Sequence, residues 1–372
     1  MKENKDRVLV VIPTYNEKDN IAKIIRAVFK LALKVEILVV DDSSPDGTNT
    51  IVKELKKKYP RRLHLVIRKE KNGLGKAYVE GFKWALKRNY QFIVSMDADF
   101  SHHPKYLPKM LKLAQTGEND IVIGSRYIAG GGIVGWDWKR QLNSRGANIA
   151  TRMMLGLKPK DSTAGYKVYA RSYLESLPLD KLVASGYAFQ VEMLYLGKER
   201  GAKMAEVPIV FTDRQRGSSK ISGELKRSVK IVWRLFLRRR VVRQATKFMS
   251  VGLINTFVDG AILFALVELG SFDKIVARII SSCIALTSSY ILNRLWTFRN
   301  RSKKIAGQFI SFVLINGLGL LWNNLLYGAM VKKMDLNYLL AMVIATAIVA
   351  LWNFGLSKMW VFKEKDKKEN KK

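Results

Sequence analysis

Phe92-Ile-Val-Ser-Met96 runs straight into Asp97-Ala98-Asp99. An uncharged, partly β-branched run of this length reads as a buried strand, and the two acids mark the point where it leaves the sheet. The same junction occurs twice more toward the N-terminus. Val8 to Pro13 opens into Pro13-Thr-Tyr-Asn-Glu17, and Glu36 to Asp42 ends in Val40-Asp41-Asp42-Ser-Ser-Pro-Asp46-Gly47. Between these runs, Lys18 to Leu33 and Thr48 to Lys57 have helical periodicity. His64 to Arg68 and Asp120 to Gly124 read as further strands. Such alternation predicts an α/β fold with a mostly parallel sheet covered by helices. In open sheets of this kind ligands bind beyond the carboxyl ends of the strands, where all three acidic junctions fall.

Those acids sit on a strongly basic chain. Of 372 residues, 65 are Lys or Arg and 31 are Asp or Glu, for a net charge of +34. Carboxylates gathered at one rim of such a chain suit a divalent cation and ribose hydroxyls. Hard oxygen donors favour Mg²⁺ or Mn²⁺, and the metal would need phosphates to complete its shell. The basic excess calls for a polyanionic partner. A nucleic-acid partner fits the charge but leaves the apolar spans described next unexplained. Cys283 stands alone, which excludes an intramolecular disulfide framework. Met1 to Arg7 is polar and leads directly into the first strand, so no signal peptide is read there.

Hydropathy changes character near residue 240. Four apolar stretches follow, Phe248 to Leu269, Ile275 to Ile291, Phe309 to Met330 and Tyr338 to Val361. Each approaches the ~20 residues that a helix needs to cross a bilayer. Arg238, Arg239, Arg240 and Arg243 precede the first, Arg299, Arg301, Lys303 and Lys304 separate the second from the third, and a lysine-rich tail follows the fourth. The positive-inside rule then places the N-terminal half and the C-terminus in the cytoplasm. The half also repeats itself. Phe248-Met-Ser-Val-Gly-Leu-Ile-Asn255 resembles Phe309-Ile-Ser-Phe-Val-Leu-Ile-Asn316, and Leu292-Asn-Arg-Leu-Trp-Thr-Phe298 resembles Leu356-Ser-Lys-Met-Trp-Val-Phe362. Two hairpins in tandem are expected. Asn255, Asp259, Asn316, Asn323 and Asn324 either bond between helices or line a path for a lipid phosphate. Lys220 to Arg243, basic and apolar by turns, reads as an interfacial amphipathic helix. The expected division is residues 1–220, a linker over 221–243, a four-helix membrane domain over 244–363 and a basic tail over 364–372.

Several motifs in combination carry a family resemblance. They are Val11-Ile-Pro-Thr-Tyr-Asn-Glu17, Val39-Val-Asp-Asp-Ser-Ser-Pro-Asp-Gly47, Asn72-Gly-Leu-Gly-Lys-Ala77, Met96-Asp-Ala-Asp-Phe-Ser-His-His-Pro104, Ile123-Gly-Ser-Arg-Tyr127 and Asp213-Arg-Gln-Arg-Gly-Ser-Ser-Lys220. Residues 7 to about 220 resemble family 2 glycosyltransferases of the GT-A fold, and more narrowly the dolichyl-phosphate mannose synthases. The membrane half resembles GtrA-like domains. The resemblance implies that Pro13, Tyr15 and Glu17 cradle a nucleoside and that Val40 and Asp42 contact base and ribose. It implies that Asp97, Ala98 and Asp99 meet the diphosphate and a metal ion, Mg²⁺ or Mn²⁺, with Ser101 standing where many relatives carry Gln. Arg126, Arg214 and Lys220 would bind phosphates of donor or acceptor. His102 and His103 are read as loop structure, and the roles of Asp161 to Tyr166 and Gln190 to Glu192 stay open.

Gly130 to Arg145 holds four glycines, Trp136, Trp138 and a basic cluster, and is read as a mobile, membrane-seeking loop. Arg140 and Ser144 there, together with Arg126, are expected to hold the phosphate of a lipid acceptor. The activity so implied is inverting transfer of mannose from GDP-mannose to dolichyl or another polyprenyl phosphate. Asp97, Asp99 and Arg126 would carry the chemistry. The alternatives are glucosyl or other glycosyl transfer from a UDP-sugar, or movement of a sugar-bearing lipid across the membrane.

Overall fold

The computed structural model describes residues 7–70, 73–182, 187–213 and 224–363. They divide into two compact units, Met1–Phe236 and Leu237–Lys372.

The first unit is built on β1 (Val8–Thr14), β2 (Val35–Asp41), β3 (Leu63–Ile67), β4 (Phe92–Ser95), β5 (Ile121–Ser125), β7 (Lys167–Ala170) and β8 (Met204–Pro208). Their order in the sheet is β3-β2-β1-β4-β7-β5-β8. All pairings are parallel except those of β7, which runs antiparallel between β4 and β5. The mostly parallel α/β sheet of the GT-A type is therefore what forms. Alternate residues of each strand feed opposite faces, as the pleat requires. Leu9, Val11, Leu38 and Val40 join one core cluster with Ala77, Tyr78 and Phe82 of α3 (Leu74–Leu86). Val8, Val10, Ile12, Ile37 and Val39 join the other, with Ile21, Ile24, Ile25 and Val28 of α1 (Lys18–Phe29). Val52 and Leu55 of α2 (Thr48–Lys58), and Leu107, Met110 and Leu111 of α4 (Leu107–Gln115), close that second face.

Two departures from the sequence reading matter for the site. The first helix stops at Phe29 rather than Leu33. Gly130 to Arg145 is not one loop. Gly132–Val134 forms β6, which pairs in parallel with β9 (Val210–Thr212). From Trp138 the chain is helical, as α5 (Trp138–Leu155), capped by the Asp137 carboxylate accepting from the Arg140 N–H at 2.7 Å.

After α6 (Arg171–Glu175) and α7 (Tyr187–Glu199), α8 (Glu224–Arg238) lays Ile231, Val232, Leu235 and Phe236 on the first core cluster. Val229 and Trp233 of the same helix stay more than half exposed, so the helix has two unlike faces.

The second unit has α9 (Arg240–Phe264), α10 (Lys274–Leu292), α11 (Ile305–Met334) and α12 (Tyr338–Leu356). With their π-helical ends the spans are Arg240–Leu269, Lys274–Thr297, Ile305–Met334 and Tyr338–Val361, all long and apolar enough to cross a membrane. The repeat in sequence is a repeat in structure. The two matched heptads both end in a π-helical turn, Asn293–Thr297 and Ser357–Val361. Phe298 and Phe362, which close them, stack on each other at 4.7 Å between centroids and 19° between planes. Small residues line the packed faces of α10 and α12 at matching places, Ala277 and Ser281 against Ala341 and Ala345.

Of the intramembrane polar residues, Asn255 and Asn316 bond back to the carbonyls of Val251 and Phe312 in their own helices. Asp259 takes Arg278 at 2.6 Å and Ser281 at 2.8 Å from α10, which pins the first hairpin.

Gly81 is held against β1 so closely that a Cβ there would meet Val11 Cγ1 at 2.4 Å. Val11 is a stiff side chain with no free space behind it. Gly81→Ala is expected to cost about 1–3 kcal/mol, read as a lowered thermal midpoint of the detergent-solubilised protein.

Candidate active site

The rim is assembled by register. Thr14 of β1 lies opposite Asp41 of β2, and Val11 of β1 opposite Ser95 of β4, so the three strands deliver their carboxyl ends to one edge. Asp41 is fully buried and serves the scaffold. It accepts from Thr14 Oγ1 at 2.8 Å and from both the N–H and the hydroxyl of Ser44. The turn after β1 is then stitched to the turn after β2 by main-chain donors. Asn16 N–H reaches Ser44 Oγ, Glu17 N–H reaches Thr48 Oγ1, and Lys18 N–H reaches Asp46 Oδ2, each at 3.0 Å. Gly47, at φ 88°, makes the corner that starts α2. Burial would raise the Asp46 carboxyl, but the Thr48 hydroxyl and N–H and the Lys18 N–H hold it below the usual range.

The result is a fixed pocket edge on which Pro13, Tyr15 and Glu17 are half-buried. Asp42 lies beside it with Arg68 at 2.8 Å. Val40 lies one residue before Asp41 in β2. Its side chain is fully buried in the sheet core, so any contact it makes with a ligand runs through its main chain.

Asp97 and Asp99 leave β4 together. Asp97 Oδ1 accepts from the Tyr78 hydroxyl at 3.1 Å, and its Oδ2 lies 3.4 Å from His102 Nδ1. Gly165 closes over both, since a Cβ there would stand 2.9 Å from His102 Cε1 and 3.3 Å from Asp97 Oδ2. Asp99 Oδ1 accepts from Ser101 twice, at 3.0 Å from its N–H and 2.6 Å from its hydroxyl. Ala98 between them is buried. Among the described residues no three His, Cys, Asp or Glu side chains form a metal cage. Two carboxylates and a hydroxyl at a strand end are a partial set of hard oxygens, which suits a Mg²⁺ or Mn²⁺ whose remaining ligands are water and substrate phosphate.

His102 is fully buried between Tyr166 and Phe211, and burial lowers its pKa. Four charges act on that ring, Asp97, Asp99, Arg126 and Asp161, so the acidic and the basic halves of the site meet around it. His103 is structural, its Nδ1 capping the 3-10 turn Pro104–Tyr106.

The basic half centres on Arg126, at the end of β5. Its Nε and Nη2 donate to Asp161 as a fork at 2.7 Å each, and its N–H donates to the same carboxylate at 3.0 Å. Burial would raise Asp161, and those bonds from Arg126 outweigh it and hold the acid below its usual range. Trp136 stands over both Arg126 and Arg140, 5.7 and 4.2 Å from the guanidinium carbons to the ring centre. The β6–β9 pairing brings Asp213 to Arg140 at 2.8 Å. Ser144 Oγ accepts from Tyr127 at 2.7 Å. Arg126, Arg140 and Ser144 are thus one neighbourhood, each already engaged by a protein partner. Arg214 and Lys220 lie outside the described residues.

Beneath this, Lys167 of β7 is fully buried. It donates to the Ala164 carbonyl and, at 2.8 Å, to Gln190 Oε1. Burial lowers its pKa to about 7, with Arg126 adding to the shift. The sequence reading left Asp161 and Gln190 without roles, and singled out neither Tyr78 nor Lys167. Asp161 clamps Arg126, Tyr78 braces Asp97, and Gln190 receives the buried lysine.

The Lys167 shift fixes a pH dependence. The folded protein gives up that proton near pH 7, whereas unfolded lysine keeps it to about 10.4. The unfolded chain therefore binds more protons between those values, and stability rises with pH across them. Thermal midpoints from pH 7 to 9 should show the rise, and Lys167→Met should flatten it. Asp161→Asn, which strands a buried guanidinium, should cost about 3–5 kcal/mol in the same assay.

Comparison with known proteins agrees with this architecture. Residues 9–177 match the model for glycosyl transferase family 2, and residues 247–362 match that for the GtrA/DPMS transmembrane domain. A polyprenol monophosphomannose synthase of Mycolicibacterium smegmatis is 45% identical over 217 residues, 58% of this chain and 82% of that one. An undecaprenyl-phosphate mannosyltransferase of Micrococcus luteus is 42% identical over 217 residues, 58% of this chain and 88% of that one. Among solved structures, glucosyl-3-phosphoglycerate synthase of Mycobacterium tuberculosis with Mn²⁺, UDP-glucose and phosphoglyceric acid has a TM-score of 0.47. It shows 21% identity over 62% of this chain and 79% of that one. The chain is an integral membrane protein that belongs to glycosyltransferase family 2, its GT-A half joined to a transmembrane domain of the GtrA/DPMS type.

Proposed function

We propose that this protein transfers mannose from GDP-mannose to dolichyl or another polyprenyl phosphate, with inversion, giving a β-mannosyl lipid phosphate that serves protein glycosylation. The observation that carries the reading is 45% identity over 217 residues to a polyprenol monophosphomannose synthase, 82% of whose length is covered. Pro13, Tyr15, Glu17 and Asp42 would hold the nucleoside, with Val40 contributing main chain, and Arg214 and Lys220 would meet donor phosphates.

Asp97, Asp99 and Ser101 would hold Mg²⁺ or Mn²⁺, which when bound offsets charge on the departing diphosphate. Tyr78 and Ser101 orient the two carboxylates beforehand, so little reorganisation is left for the reaction. The acceptor needs no strong base, because a phosphate monoester carries roughly −1.5 to −2 charges at pH 7. It attacks the anomeric carbon directly as the diphosphate leaves. Arg126, Arg140 and Ser144 would steady the attacking phosphate. Basic clusters before the first span, between the second and third and after the fourth support a cytoplasmic position for the catalytic half, residues 1–220, and for the C-terminus.

Purified full-length protein, given polyprenyl phosphate and Mg²⁺ or Mn²⁺, should move label from radioactive GDP-mannose into the organic phase. Label entering only from UDP-glucose would assign it to a different donor class, and no transfer from either would remove the enzymatic reading. Chelation should abolish turnover, and Asp99→Asn should lower kcat by at least about a hundredfold without moving the thermal midpoint by more than a few degrees.

A further inference from the structure

We propose that a second group of cations, Arg145, Arg152 and Lys160, receives the phosphate of a lipid phosphate ester in a cavity between α5 and the loop that follows β5. The inference rests on the lipid-acceptor reading and adds residues that it does not contain. Its starting point is that both arginines assigned to the acceptor phosphate are already paired with carboxylates of the protein. Arg126 is forked on Asp161, Arg140 is paired with Asp213, and Ser144 accepts from Tyr127. A phosphate approaching them must first be drawn in by charge that is not yet spent.

That charge lines a cavity of about 420 Å³, room for a headgroup and the first carbons of a chain rather than for one ion. Arg126, Arg145, Arg152 and Lys160 all face it, and no Asp or Glu is among its lining residues. Arg126 is neutralised by Asp161. Arg145, Arg152 and Lys160 have no carboxylate partner among the described residues. Glu206, close in the fold, accepts from the main-chain N–H groups of Lys160 and Asp161.

Arg152 gives the independent sign. Its Nε is buried with no hydrogen-bond partner, and its Nη2 reaches only the Lys158 carbonyl, at 3.5 Å. That long contact leaves the outer nitrogens of Arg152, which lines the cavity, with donor capacity for an anion that offers several acceptor oxygens.

The cavity wall also says what bears the phosphate. Ile149 lines it beside the cations. It belongs to a row on α5, Trp138, Leu142, Ile149 and Met153, each more than half exposed. Their spacing of four, seven and four residues keeps them on one side of the helix. A free phosphate gains nothing from such a row, whereas an apolar tail buries against it. The chain carries four helices fit to cross a bilayer, where lipid phosphates reside.

The test uses full-length protein in detergent, without a sugar donor. It is titrated separately with radiolabelled polyprenyl phosphate, uncharged polyprenol and inorganic phosphate. Arg145→Gln combined with Lys160→Gln alters two exposed side chains and leaves the packed Arg152 alone. The expected result is polyprenyl phosphate binding at least about tenfold weaker, with polyprenol binding unchanged. Arg145→Lys with Lys160→Arg should bind like the unaltered protein. Equal polyprenyl phosphate affinity in the Gln variant overturns the proposal, as does an equal loss of polyprenol. Inorganic phosphate bound as tightly as the lipid overturns the lipid assignment. With no donor present, this assay and the sugar-transfer assay can each fail while the other succeeds.

Discussion

The fork between Arg126 and Asp161 is the contact on which the rest of the site is arranged. Both groups are buried, and a charge pair out of water is tolerated only when its geometry is near complete. Here one carboxylate takes two guanidinium N–H groups and a main-chain N–H, which fixes the end of β5 to the segment before β7. Asn148 of α5 adds to that segment by accepting from the N–H and hydroxyl of Ser162. Lys167 lies in the same field, and its burial lowers its pKa, with Arg126 adding to the shift and Asp161 opposing it. Arg126, proposed to meet a lipid phosphate, is therefore also a structural cation, and its position is settled before any ligand arrives.

The acidic rim follows a different logic. Asp41 and Asp42 are neighbours in sequence with divided labour, one turned into the scaffold and the other buried beside the rim and paired with Arg68. Asp97 and Asp99 are divided in the same way by what supports them, a tyrosine hydroxyl across the fold for one and a local serine for the other. Oxygen donors held in advance lose little entropy when a cation and a diphosphate bind. His102, enclosed and with its pKa lowered by burial, lies between the acidic and the basic groups.

Much of this was legible in the residues, for identifiable reasons. Strands buried on both faces are unbroken apolar runs, so β2, expected over Glu36 to Asp42, forms over Val35–Asp41. The first helix was drawn too long because Leu31 and Leu33 continue an apolar rhythm, yet they pack against the core from a turn. The antiparallel β7 was missed because a lysine opens it, and nothing local signals that the Lys167 amine will be buried against Gln190. The helical α5 was hidden behind a glycine run that ends before its cap, Asp137. Single side chains such as Asp97 and Arg126 could be picked out by their motifs. Their braces could not, because Tyr78 stands 19 residues from Asp97 and Asp161 stands 35 residues from Arg126. Side-chain pairing at that distance is decided by topology, not by pattern.

The stacking of Phe298 on Phe362 has a consequence for how the second unit came to exist as one polypeptide. Each hairpin ends in an aromatic surface whose complement is the equivalent surface of its own copy. A hairpin of that kind, made alone, would find its match only by meeting another molecule. Placing the copies in tandem makes the encounter intramolecular, at an effective concentration that separate chains in a membrane would struggle to reach. Tyr290 and Phe354 occupy matching positions, yet only the tyrosine carries a hydroxyl, which it donates to the Ile305 carbonyl where α11 begins.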